Sequence, residues 1–188
     1  MSRLDHTMTI MSLPPTQVPM PSTRHTSVLD MVGNTPVVDV SNLSPNPDVR
    51  ILGKMEMQNP FGSVKDRIAK RMIESAEADG RLRPGQTILE PSSGNTGIAL
   101  AAIAQIKGYP IKIMMPTSVS IERRQMLEVF GAEIILTPGE EGSNGAVARA
   151  KALAAEHPEW FFPYPVSYTH LRAHETSRAI AYAVFCVK

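Results

Sequence analysis

From Ser27 to Tyr164 the apolar positions alternate between two periods. The runs "VVDV" (37–40), "VRILGKMEM" (49–57), "TILE" (87–90), "IKIMMP" (111–116) and "AEIILTP" (132–138) are short and rich in β-branched or apolar residues, which predicts strands. Between them lie longer stretches with helical spacing. In "SVKDRIAKRMIESAEADG" (63–80) Ile68, Met72, Ile73 and Ala76 share one face, Ser63 is placed to cap the start and Gly80 to end it. "NTGIALAAIAQIKG" (95–108), "SIERRQMLEVFG" (120–131) and "NGAVARAKALAAEHP" (144–158) predict three more helices, stopped by Gly108, Gly131 and Pro158. Strand and helix in strict alternation, joined by short loops, predict βαβ units: an α/β chain with a parallel sheet and flanking helices. The helices do not repeat at a fixed period, which excludes a solenoid.

Composition narrows the class. Of the 188 residues 43% are hydrophobic, enough for one domain with a core. Lys and Arg total 19 against 18 acids, so neither a nucleic-acid-binding stripe nor an acidic tail is present. No apolar run is long enough to span a membrane. Residues 1–25 are rich in Pro, Thr, Ser and Met without periodicity and read as a flexible lead; they lack the pattern of a secretory signal. The single cysteine, Cys186, allows no internal disulfide, which fits a cytoplasmic protein. Trp160, Phe161 and Phe162 read as a buried strand, His157 as a helix end, and Glu122, Arg123 and Arg124 as a solvated face.

Two loops carry candidate chemistry. In "NPFGSVKDR" (59–67) a turn ends in Lys65 within the first turn of a helix. The positive end of a helix dipole disfavours an ammonium, and desolvation adds to that, giving a free amine suited to attack on a carbonyl. Spacing alone leaves the solvated surface lysine as the simpler reading. In "EPSSGNTG" (90–97) Ser92, Ser93, Gly94, Asn95 and Thr96 set hydroxyls, an amide and backbone N–H groups at a helix start after a strand, a nest for a carboxylate or phosphate. An ordinary capping loop has the same composition, and no Walker lysine follows.

The two loops in this order, with "VLDMVGNTPVVDV" before them and "MPTSVSIERRQMLEVFGAEIILTPG" and "EGSNGAVARAKALA" after, resemble the cysteine synthase family. These are pyridoxal-phosphate enzymes of the tryptophan-synthase-β fold (fold type II), related to cystathionine β-synthase. The resemblance covers about residues 27–164 and implies a truncated N-terminal part of that fold, including its small domain, over 26–164. It implies that Lys65 forms the Schiff base with pyridoxal 5'-phosphate and that Asn95 bonds the cofactor's ring hydroxyl oxygen. Ser92, Ser93, Gly94 and Thr96 would grip the substrate carboxylate. The implied reaction is β-replacement on an O-activated L-serine (O-acetylserine or O-phosphoserine) by a sulfur donor to form L-cysteine, with no metal, nucleic acid or membrane partner and a homodimeric full-length protein. A cystathionine β-synthase-type condensation, or a non-catalytic module of the same fold, is the alternative.

The resemblance stops near Tyr164. The glycine-rich phosphate loop and the residue facing the pyridine nitrogen are not found. Residues 165–188, "PVSYTHLRAHETSRAIAYAVFCVK", resemble translated sequencing-adaptor DNA and are expected to be an artefact making no stable contact with the core; His170 and His174 are accordingly not read as metal ligands. The fragment by itself is expected to be inactive.

Overall fold

The computed structural model describes residues 25–163 and the backbone of 183–187. Its centre is a parallel sheet of three strands in the order β3–β4–β5: β3 Ile88–Glu90, β4 Ile111–Pro116 and β5 Glu133–Thr137. Ile88 pairs with Ile111, and Ile113 with Ile134. The crossovers are α2 (Asn95–Lys107) and α3 (Ile121–Val129), preceded by α1 (Lys65–Ala78) and followed by α4 (Gly142–Glu156).

Strand alternation splits the sheet into two faces. Ile88, Ile111, Ile113 and Met115 join α1 and α2 through Ala69, Ile73, Ala76, Leu100 and Ile103 in one core. Leu89 and Met114 meet Ala146 and Ala150 of α4 in the other. The first core explains the composition of α2, which is apolar almost all round and buried continuously from Gly97 to Ala104. Such a helix has no solvent face to mark its period; it is a middle layer between the sheet and its neighbours.

The ends of the helices follow the sequence closely. Gly80, Gly108 and Gly131 all adopt positive φ just past α1, α2 and α3, where a side chain would be strained. Ser63 accepts the Lys65 N–H at 3.1 Å, and α1 begins at Lys65, one residue later than a cap at Ser63 implies. Phe161 extends the sheet by a single parallel bridge to Ile88, with Leu89 N–H donating to its carbonyl at 2.9 Å. Phe161 is buried as expected, whereas Trp160 is half-buried and stacks on His157 at 3.9 Å.

Two features depart from the expectation of one parallel sheet. β1 (Val37–Asp39) and β2 (Arg50–Lys54) form a separate antiparallel pair. Their connection carries no crossover helix, and a short link permits antiparallel pairing only. The predicted strand 49–57 also ends at Lys54, and Glu56–Gln58 turns as a 3₁₀ helix. The turn lets the Glu56 side chain enter a buried polar network described below. β6 (Ala183–Val187) pairs antiparallel with β2, from Arg50 with Val187 to Lys54 with Ala183. The expected lack of contact between the tail and the core does not hold for these five residues. An open strand edge accepts any extended backbone, because the ladder bonds do not depend on side-chain identity. The lead 1–24, the tail residues 164–182 and Lys188 lie outside the described residues, His170, His174 and Glu175 among them.

Candidate functional site

Lys65 is the first residue of α1, and Asn95 the first of α2. The two helices meet at their C-terminal ends, where Glu77 accepts from Lys107 Nζ at 2.8 Å and from the Tyr109 hydroxyl at 2.9 Å. Twelve residues back from Glu77 is Lys65, and twelve back from Lys107 is Asn95. Lys65 thus lies at the far end of α1 from that anchor, and Asn95 at the far end of α2. Asn95 opens α2 at the carboxyl edge of the sheet, where the loop 91–94 leaves the end of β3. Ligands of open parallel sheets bind along this edge.

The Lys65 side chain is half-buried, and that burial holds its amine below the usual lysine value. The turn before it is tightly built. Gly62 has φ +84°, and the Asp66 carboxylate accepts from Phe61 N–H at 2.6 Å and from the Ser63 hydroxyl at 3.3 Å. Asp66 is fully buried, and burial pushes its carboxyl up.

Ser92, Ser93 and Gly94 form the loop, and Thr96 follows Asn95 in the first turn of α2. Gly94 is the N-cap and offers no side chain, so no side-chain hydrogen bond caps α2. The first N–H groups of a helix then point at whatever occupies the space ahead of them, with the dipole favouring an anion. Gly97 fixes how close the loop lies. A Cβ there would stand 1.8 Å from the Ser92 carbonyl oxygen, so only glycine lets the loop fold back onto the helix. The residues present thus fit a carbonyl-bearing anionic cofactor: an amine of lowered basicity at one helix start and an uncapped N-terminus at the neighbouring one.

Two features were not read from the sequence. Glu90, the last residue of β3, is fully buried with neither carboxylate oxygen hydrogen-bonded within the described residues. Burial pushes its carboxyl up to about 8. The strand period held the signal, because Glu90 lies on the same face as Ile88. The second is a closed network around Glu56. Its Oε2 accepts from Arg67 Nε at 2.8 Å and Asn59 Nδ2 at 2.9 Å; its Oε1 accepts from Arg67 Nη2 at 2.9 Å and the Thr35 hydroxyl at 2.7 Å. The Arg67 bonds, aided by Thr35 and Asn59, draw the Glu56 carboxyl down to about 2. Arg124 is held by the Thr117 carbonyl, so the expected solvated face of α3 is partly pinned. Among the described residues no group of three or more His, Cys, Asp or Glu could hold a metal ion, and no helix is long and apolar enough to cross a membrane.

A parallel sheet with flanking helices, one opening on a lysine and the next on an uncapped turn at the sheet's carboxyl edge, defines an α/β chain. A family model described as "Pyridoxal-phosphate dependent enzyme" matches residues 28–183, and the chain belongs to that family. The match runs past Tyr164, where the motif resemblance ends. The chain is 53% identical over 137 residues to a cysteine synthase of Flavobacterium sp., covering 73% of this chain and 44% of that one. A cysteine synthase of Staphylococcus aureus is 49% identical over 131 residues, 70% of this chain and 42% of that one. The solved structure of an Entamoeba histolytica cysteine synthase superposes with a TM-score of 0.72 at 37% identity, over 83% of this chain and 46% of that one. The chain therefore spans under half the length of the curated relatives it matches, and its architecture is that of fold type II pyridoxal-phosphate enzymes.

Proposed function

We propose that the protein to which this chain belongs is a pyridoxal-phosphate-dependent cysteine synthase, replacing the activated hydroxyl of an O-activated L-serine with sulfur. What supports the reading is that Lys65 opens α1 and the uncapped Ser92–Thr96 turn opens α2, in a chain that matches the pyridoxal-phosphate-dependent family. The similarity to named cysteine synthases supports it.

Each residue has a role its position allows. Lys65 would hold the cofactor's aldehyde carbon until the substrate's amine takes its place, and once released, as a half-buried amine of lowered basicity, would take and return the substrate's α-proton. Bound pyridoxal phosphate supplies the electron sink for the charge that proton leaves behind. Asn95 donates to the cofactor's ring hydroxyl oxygen. Ser92, Ser93, Gly94 and Thr96 orient the substrate α-carboxylate through hydroxyls and the first N–H groups of α2. Closing this loop over the substrate excludes water from the reacting carbon. The leaving group is an acetate or a phosphate, and the sulfur donor sulfide or a protein-borne sulfur. The whole protein is a cytoplasmic homodimer acting on small molecules.

The test uses the complete protein encoded by the gene. O-acetylserine or O-phosphoserine with sulfide yields cysteine, and Lys65→Ala abolishes it. A Lys65→Ala protein that still makes cysteine at the unsubstituted rate, or an unsubstituted protein that makes none from either serine ester, overturns the reading.

A further inference from the structure

The turn "VGNTP" and the acid of "MEMQNP" have no part in the chemistry proposed above, yet the fold brings both to the helix that opens with Lys65. Arg67 reaches Glu56 with two prongs, at 2.8 and 2.9 Å, and Thr35 Oγ1 with a third bond at 3.0 Å. Asn59 ties the same Glu56 to the segment before Thr35, because its Oδ1 accepts the Gly33 N–H at 2.9 Å. Gly33 is shaped to admit the guanidinium. Its φ is +103°, and a Cβ there would stand 3.0 Å from Arg67 Nη1. Thr35, Glu56 and Asn59 are all buried, and the two oxygens of Glu56 take four donors in all.

We propose that Arg67 is a positioning residue for Lys65, and that the Thr35–Glu56–Asn59 network exists to set the rotation of α1 about its own axis. The purpose rests on the reading of Lys65 as the cofactor lysine; the geometry does not. Residues two apart in a helix project from nearly opposite sides of it, about 200° around the axis. A fork that fixes Arg67 on one side therefore aims Lys65 on the other. Leverage is large at this point. A rotation of about 10° moves an atom about 8 Å from the axis by about 1.4 Å, and a misplacement of about 1 Å costs up to about a hundredfold in a positioned reaction. Stability is a poor explanation for the pair, since the Arg67 side chain is 37% exposed and ion pairs that reach solvent contribute only about 0–1 kcal/mol. Orientation is what a two-pronged arginine provides and a neutral substitute does not.

The experiment uses the full 188-residue chain and two variants: Arg67→Lys, which keeps the charge without the fork, and Glu56→Gln/Arg67→Met, which removes both charges while leaving one oxygen at position 56 to accept from Asn59 and an amide N–H to donate to the Thr35 hydroxyl that Arg67 vacates. Each is incubated with pyridoxal phosphate; the amine and aldehyde condense with loss of water, and borohydride reduces the C=N bond. Peptide mapping gives the ratio of label on Lys65 to label on Lys151, an exposed lysine of α4. Folding is followed by circular dichroism and urea unfolding. The double variant is expected to keep its urea midpoint while the Lys65:Lys151 ratio falls about tenfold, with Arg67→Lys in between. A folded double variant with an unchanged ratio overturns the proposal. If the unsubstituted chain shows no preference for Lys65, the cofactor-lysine reading has failed on its own. The positioning claim is then decided by ¹³C-dimethylated Lys65, whose titration midpoint, lowered by burial in the unsubstituted chain, must rise in the variants. A midpoint that stays put overturns it. Should the double variant not fold, Arg67→Lys carries the same two readouts. Unfolding of both makes the network a folding element and overturns the proposal as well.

Discussion

Replacing Gly97 with alanine tests how the anion nest is held. In an exposed helix the change is favourable, by about 1 kcal/mol of helix propensity. Here the new Cβ would stand 1.8 Å from the Ser92 carbonyl oxygen and 2.9 Å from its carbon, both backbone atoms that cannot rotate away. Relieving a contact more than about 1 Å too short requires the loop 91–94 to move as a unit, and overpacking of this kind costs about 1–3 kcal/mol. The overlap outweighs propensity, so Gly97→Ala is expected to lower urea-unfolding stability by up to about 2 kcal/mol. Gly94→Ala is the matched control. Its φ of −89° suits alanine, and the added Cβ would meet only Ser92 Oγ at an ordinary 3.9 Å. In the complete protein the displaced loop should also raise KM for the amino-acid substrate at Gly97→Ala. A Gly97→Ala chain as stable as the unsubstituted one, with an unaltered KM, would refute the close packing of Ser92 on α2.

Glu90 predicts a pH signature. Its carboxyl ordinarily loses its proton near 4.5 but in the folded chain holds it to about 8. The native state therefore binds the extra proton between those values. Its stability is intact below pH 4.5 and falls as pH rises through 8, by at most about 5 kcal/mol at about 1.4 kcal/mol per pH unit. Urea unfolding of Glu90→Gln should lack this fall, and parallel pH profiles for the two chains contradict the burial. Tyr109→Phe removes the hydroxyl bonded to Glu77 at 2.9 Å and should cost about 1 kcal/mol in the same assay. An unchanged midpoint shows that this anchor between α1 and the segment after α2 contributes nothing.

The strands and helices around the parallel sheet were legible because their determinants are local. Gly80, Gly108 and Gly131 stop helices by a backbone angle, and Ser63 caps by a bond two residues long. Both candidate loops lie where strand–helix alternation puts them, Lys65 and Asn95 each opening a helix. What escaped depends on partners far along the chain. The strand read through Met57 ends at Lys54 because Glu56 answers to Thr35, 21 residues earlier, and to Arg67, 11 later. No periodicity reports such a contact. The antiparallel pairing of β1 and β2 was hidden for the same reason, since a strand's pattern does not name its neighbour. The buried acid at Glu90 was available in principle. Its face was given by Ile88, but an acid at the end of a three-residue strand next to a polar loop reads as exposed.

The central claim is that Lys65 carries the cofactor. Borohydride reduction of the complete protein with bound pyridoxal phosphate, followed by peptide mass mapping, tests it most directly. A phosphopyridoxyl group on the peptide containing Lys65, and the loss of both that label and the visible absorbance in Lys65→Ala, is the predicted result. A stoichiometric label on any other lysine, with Lys65 unmodified, contradicts it.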